Sequence, residues 1–211
     1  MALRKIIFWE VDAQLDFMLP GGKLYVPGAE KIIPNIGRLV DAARDGRVFL
    51  VSSCDAHAVN DPEFEKFAPH CIRGTLGARI LAEGMVGNAL HIPNDASFRL
   101  PADFSDYKQA VIEKQTLDVF DNPHAGALVE RLGHPAGQAG SGAEYVVFGV
   151  ATEYCVGLAA KGLAERGRKV AVVEDAIAAL DPEAGRRTLE ELQARGVRLI
   201  STEQALANVK G

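Results

Sequence analysis

A carboxylate, an ammonium and a thiol stand out along this chain: Asp12, Lys114 and Cys155. Each closes, or lies just past, an apolar run that reads as a buried strand. Ile6-Ile7-Phe8-Trp9-Glu10-Val11 precedes Asp12, Ala110-Val111-Ile112-Glu113 precedes Lys114, and Tyr145-Val146-Val147-Phe148-Gly149-Val150 precedes the turn that carries Cys155. Together they are the groups that amide hydrolysis through a thioester requires. Singly, each has a plainer explanation: a buried structural cysteine, a surface lysine, a turn aspartate at a strand end. Position joins them. In an open parallel sheet the carboxyl ends of neighbouring strands share one crevice, and ligands bind there. Separations of about 40 to 100 residues in sequence are then no obstacle.

A second constellation follows the strand over 48–52. Cys54-Asp55-Ala56-His57 opens a long connection that continues to Pro69-His70-Cys71. Asp-x-His at a strand end puts a carboxylate and an imidazole on one side of an extended chain. With His70 they form a His₂-carboxylate set suited to a divalent transition metal. Glu63 and Glu65 lie between and could add an oxygen. The same residues also fit ordinary surface hydrogen bonding. His91, His124 and His134 have no comparable partners and read as structural or exposed. Cys54 and Cys71 read as small buried apolar residues, with metal ligation as the alternative.

Around Cys155, Thr152 is a candidate N-cap, which would place the sulfur at the third helical position. The positive end of the helix dipole favours a thiolate there. Free backbone N–H groups at the same helix start could hold an oxyanion.

The elements that must position these groups alternate. Strands are expected at about 5–12, 48–52, 109–113, 144–150, 169–173 and 197–200. Helices are expected at about 28–45, 122–132, 153–166, 182–195 and 202–208. In the helix after Cys155, Val156, Ala159, Ala160 and Leu163 repeat at the spacing of a buried face. This order predicts a three-layer α/β/α fold with a mostly parallel six-stranded, Rossmann-like sheet, and one domain spanning 1–211. The connection from Ser53 to Gln109 exceeds by more than threefold the roughly 15 residues beyond which loops are usually functional. Gly133–Gly142, rich in Gly, Ala and Pro, reads as a plain surface connector.

Composition narrows the function classes. A net charge of −5 gives no reason to expect nucleic acid or an anionic membrane as partner. The N-terminal apolar run is interrupted by Glu10 and Asp12, so it is a strand and not a signal segment. No stretch approaches the roughly 20 apolar residues of a membrane helix. Three cysteines, an odd number, fit a reduced cytoplasmic setting better than a disulfide framework.

The residues resemble the isochorismatase-like cysteine hydrolases, and among them the nicotinamidase (pyrazinamidase) branch. The matching stretches run in order through most of the chain. They are Asp12-Ala13-Gln14-Leu15-Asp16-Phe17, Gly22-Lys23-Leu24 with Val26-Pro27-Gly28-Ala29, Asp55-Ala56-His57, Pro69-His70-Cys71 followed by Gly74-Thr75-Leu76-Gly77-Ala78, Lys114 with Phe120 after it, and Gly149-Val150-Ala151-Thr152-Glu153-Tyr154-Cys155-Val156. The resemblance implies a catalytic triad of Asp12, Lys114 and Cys155, an oxyanion hole at Ala151 and Cys155, and a cis peptide between Val150 and Ala151. It implies a divalent metal held by Asp55, His57 and His70, zinc first, with iron or manganese as alternatives. Phe17, Phe67 and Val150 would line the substrate site, with Phe67 standing where such enzymes often carry a tryptophan. Glu63 stands roughly where many carry a further histidine. The implied substrate is a small amide, nicotinamide foremost, with self-association as a further expectation. Another small-amide or carbamoyl hydrolase is the alternative. Isochorismatase itself fits less well, because vinyl-ether hydrolysis has no need of the Cys155 thiol.

Overall fold

A computed structural model of the chain describes residues 6–133 and 142–209. Its centre is a seven-stranded sheet in which every pairing of neighbouring strands is parallel. The strands are β1 (Ile6–Val11), β2 (Phe49–Asp55), β3 (Ala89–Ile92), β4 (Gln109–Lys114), β5 (Glu144–Val150), β6 (Lys169–Ala178) and β7 (Arg198–Ile200), in the spatial order β3-β4-β2-β1-β5-β6-β7.

The helices are α1 (Leu15–Met18), α2 (Ile33–Arg44), α3 (Ala125–Gly133), α4 (Gly157–Glu165), α5 (Pro182–Ala194) and α6 (Thr202–Ala207). Side chains alternate across a strand, so each face of the sheet buries its own core. Phe8, Leu50 and Phe148 pack with Ile36, Leu39 and Val40 of α2 on one face. Ile7, Trp9, Val51 and Val147 pack with Leu128 of α3 and Leu163 of α4 on the other. The three-layer α/β/α architecture is therefore as the sequence predicts.

The strand count is not. Ala89–Ile92 adds an edge strand inside the connection that reads from sequence as one long loop. It is four residues long, pairs on one side only, and buries Ile92 alone, so it offers almost no alternating pattern to detect. β6 also runs past the expected end at Val173 through exposed Glu174 and Asp175. The helix expected from about 28 starts at Ile33, because Gly28 at φ +84° and a 3₁₀ turn over Ala29–Lys31 come first. α1, a single turn, was not anticipated, and the remaining helices agree within a few residues. The connector expected at Gly133–Gly142 lies, apart from its ends, outside the described residues, as does His134.

Candidate active site

Three adjacent central strands bring the carboxylates and the thiol to one rim, and a fourth supplies the ammonium. β1 ends at Val11, and Asp12 then takes φ +49°, in the left-handed region that non-glycine residues seldom occupy. Two contacts to Ser53 hold it there. Its N–H donates to the Ser53 carbonyl at 3.2 Å, and the Ser53 hydroxyl donates to Asp12 Oδ1 at 2.7 Å. Asp55 ends β2 and Lys114 ends β4, directly opposite each other in register. β5 approaches β1 so closely that a Cβ on Gly149 would collide with the backbone of Val11, and Gly149 sits at φ +118°.

The peptide bond between Val150 and Ala151 is cis. The chain then enters a π-helical turn over Thr152–Val156 that continues as α4. Thr152 is not the N-cap that its type suggests. Ala151 takes that position with extended backbone angles and no side-chain cap, and the wider turn closes through Val156 N–H to the Ala151 carbonyl at 3.2 Å. Cys155 is consequently the fourth residue of the turn, not the third.

Lys114 is 1% exposed and lies at the centre of the group. Its Nζ is 2.9 Å from Asp12 Oδ2, bonds Asp55 Oδ1, and donates to Cys155 Sγ at 3.4 Å. One ammonium thus faces two carboxylates and a thiol, all out of solvent. The two carboxylates are driven apart. Burial pushes Asp55 up, but Lys114 and the two imidazoles overcome it and hold its carboxyl below the usual carboxylate range. Asp12 is pushed up by burial, which outweighs the attraction of Lys114. Burial likewise raises the Cys155 thiol, against Lys114 and with the repulsion of Asp12 and Asp55. The thiolate expected from helix-start position alone is therefore not the resting form. The sulfur keeps its proton beside a carboxylate able to accept one.

Beside this group, Asp55, His57, Glu63 and His70 each offer a donor atom within 4.8 Å of the others. Nε2 of His57 and of His70 lie 3.6 Å and 3.4 Å from Asp55 Oδ2, and Glu63 Oε1 lies 4.0 Å from His70 Nε2. The far side of each ring is occupied. His70 Nδ1–H donates to the Ala68 carbonyl at 2.7 Å, and His57 Nδ1 lies 3.0 Å from Asp61 Oδ2. Outer partners of this kind fix the rings of metal-binding histidines and leave Nε2 for the ion.

Both ring nitrogens of His57 are buried without a well-aligned hydrogen-bond partner, Nδ1 having only the Asp61 contact, and burial together with the Asp55 charge pushes the Glu63 carboxyl up. An orphaned imidazole nitrogen in a crowd of carboxylates fits a divalent cation. Glu63 joins the three ligand candidates read from sequence, and Glu65 does not. Cys54 and Cys71 are also outside the group; both are buried free thiols that burial raises.

A pocket opens over both groups. Asp12, Cys155, Val150 and Ala151 line it together with Asp55, Glu63 and His70. Phe17 and Phe67 also line it. The Phe17 ring is 5.2 Å from that of His70, and Phe67 stands edge-on to Tyr154 at 5.8 Å. Lys114 and His57 are not in the lining; they act on it from behind.

Leu24, Val26, Leu117, Tyr154 and Leu180 complete the walls and were not anticipated as such. Leu24 and Val26 lie in motif stretches and Tyr154 next to Cys155, so signals existed for them. Leu180 follows the unexpected extension of β6 and had none.

Residues 93–204 match the model of the isochorismatase domain. Over 198 residues the chain is 25% identical to a probable inactive nicotinamidase of Arabidopsis thaliana, covering 89% of this chain and 88% of that one. A pyrazinamidase of Pyrococcus horikoshii, solved in complex with zinc, shares 26% identity at a TM-score of 0.72, over 93% of this chain and 99% of that one. An isochorismatase-like hydrolase of Alkaliphilus metalliredigens shares the fold at a TM-score of 0.75 and 22% identity, over 98% of this chain and 100% of that one.

Proposed function

This chain belongs to the isochorismatase family, and from that premise we propose that it is a cysteine amidohydrolase that converts a small planar amide, nicotinamide foremost, to its acid and ammonia. The observation that carries this reading is the buried Lys114 ammonium touching both Asp12 and Cys155, which line a pocket together with Phe17 and Phe67. The whole chain, 1–211, is read as one hydrolase domain. The likeness to a pyrazinamidase supports the aromatic amide.

Asp12 takes the proton of Cys155 as the sulfur attacks the amide carbon. Lys114 offsets the negative charge that moves between sulfur and carboxylate. The carbonyl oxygen gains the charge and faces the backbone N–H groups of Ala151 and Cys155. Asp12 returns the proton to the amine, ammonia leaves, and a thioester on Cys155 remains. A water that gives its proton to Asp12 attacks the thioester, releasing the acid and restoring the thiol. Phe17, Phe67 and Val150 orient the flat substrate in this scheme.

Asp55, His57, His70 and Glu63 would hold a divalent ion, zinc before iron or manganese, which when bound supplies Lewis acidity at the pocket wall. The likeness to a zinc-bound pyrazinamidase supports that choice. Three free cysteines and a thiol nucleophile suit the cytoplasm, where nicotinic acid would feed pyridine nucleotide synthesis. No helix among the described residues is long and apolar enough to cross a membrane.

The test is ammonia release from nicotinamide, pyrazinamide, aliphatic amides and carbamoyl compounds, with and without chelator. Fastest turnover of the aromatic amides is expected. Preference for a carbamoyl compound would replace the substrate. Silence across the panel with metal-loaded protein would remove the amidohydrolase reading.

A further inference from the structure

Two side chains of the opening motif have no part in the chemistry above, yet they are among the most firmly held. Gln14 and Asp16 are 0% and 7% exposed. Gln14 bonds the backbone of Asp55 in both directions: Oε1 accepts from Asp55 N–H at 2.7 Å, and Nε2 donates to the Asp55 carbonyl at 2.8 Å. The same Nε2 donates to the Ala78 carbonyl at 2.8 Å.

Asp16 is bound at both oxygens. Oδ2 accepts from Cys71 N–H at 2.8 Å, and Oδ1 accepts from Lys23 N–H at 3.1 Å. Cys71 directly follows His70 and holds φ +44°, so the bond from Asp16 secures a backbone conformation that a non-glycine residue rarely adopts. Gly77 and Gly22 close on Asp16 from two sides. A Cβ on Gly77 would collide with the Asp16 carboxylate, and one on Gly22 with the Asp16 backbone carbonyl.

We propose that Gln14 and Asp16 are positioning residues that together set the spacing between Asp55 and His70, so that the donor group is shaped for its cation before the cation arrives. The proposal rests on the metal reading given above. Asp55 ends a strand, whereas His70 lies in the connection that follows; the two segments are joined by an isolated parallel bridge, His57 N–H to the Cys71 carbonyl at 3.2 Å and Arg73 N–H to the His57 carbonyl at 3.0 Å, which touches neither Asp55 nor His70 itself. A metal site tolerates only about 0.2 Å of error in donor distances. The short segment 14–16 bridges both: Gln14 grips the backbone of one ligand, and Asp16 grips the residue after the other. Ordering the ligands beforehand spares that cost at the moment of binding.

The experiment uses the full chain stripped of metal. Asp16→Asn keeps the shape but loses an acceptor and the charge. Gln14→Glu keeps the acceptor for Asp55 N–H and loses the donor. Zinc dissociation constants are measured by competition with a chromophoric chelator, alongside melting temperatures of the metal-free proteins. Ile36→Val, which trims the core under α2, serves as a control for destabilisation alone. Each brace variant should bind zinc about 10- to 100-fold more weakly, the range found for outer partners of metal ligands. The control should bind as the unsubstituted protein does, even where it melts as low. Three results would overturn the proposal: affinities within threefold of unsubstituted, equal weakening in the Ile36→Val control, or collapse of both brace variants without metal, which would make the pair general struts. Failure of the unsubstituted protein to bind zinc, iron or manganese removes the metal centre and the brace with it, an outcome distinct from a bound metal indifferent to the substitutions.

Discussion

Glu10 gives a prediction that depends on no reading of the chemistry. It is the penultimate residue of β1, at 0% exposure. Its Oε2 accepts from the Ser52 hydroxyl at 2.7 Å, and Gln109 Nε2 donates to that hydroxyl at 2.8 Å. Its Oε1 is buried without a hydrogen-bond partner, against the Cα of Gly84, where a Cβ would not fit. Burial outweighs the Ser52 bond and the charge of Arg44, and the carboxyl is pushed up from 4.5 to about 8.

Between those two pH values the folded chain keeps a proton that the unfolded chain has lost. Stability therefore falls as pH rises, by about 1.4 kcal/mol for each pH unit. The penalty is absent below about pH 4.5, reaches about 3 kcal/mol at pH 7, and levels near 5 kcal/mol above pH 8. Glu10→Gln has no proton to lose. Urea unfolding of both metal-free proteins at pH 5, 6, 7 and 8 isolates the effect, because every other titrating group cancels in the difference. The variant should gain on the unsubstituted protein by about 1.4 kcal/mol per pH unit, whatever its offset at pH 5. Parallel stability curves would refute the reasoning, and with it the view that this carboxyl is neutral in the fold.

Three further outcomes follow from the site. Cys155→Ala should abolish ammonia release while leaving the melting temperature within a few degrees; retained turnover would dismiss the nucleophile. Lys114→Met strands Asp12 and Asp55 as buried carboxylates without a counter-charge, at about 3 to 5 kcal/mol. That loss should shrink as pH falls and both carboxylates protonate, and a pH-independent loss in urea titrations would contradict it. His57→Ala should lower the metal-to-protein ratio measured by elemental analysis of the purified protein, and an unchanged ratio would count against the donor set.

The legible parts of the molecule were those written in repeating local patterns. The long apolar runs of β1, β4 and β5 announced buried parallel strands, and the rule that such strands open at one rim was enough to gather Asp12, Lys114 and Cys155. β3 was lost because two half-buried residues and one buried isoleucine make no period. Thr152 misled because a capping preference describes ordinary helix starts, whereas this turn is π-helical. The state of the sulfur was hidden for a different reason. A helix terminus is visible in sequence, but the complete burial that overrides it arises from segments far away. Leu180 acts through tertiary contacts that no spacing encodes, and Gln14 and Asp16 were visible as members of the opening motif but not in the contacts they make.

Asp55 has one oxygen on the ammonium and the other turned toward the two imidazoles. It is a junction, and the two halves of the site cannot be tuned separately. A cation drawing on Asp55 competes with Lys114 for the same negative charge, and what Lys114 no longer gives to Asp55 it gives to Asp12 and the sulfur. Metal starvation would then do more than empty a chamber: it would alter how readily the thiol meets an alkylating reagent that never touches the metal.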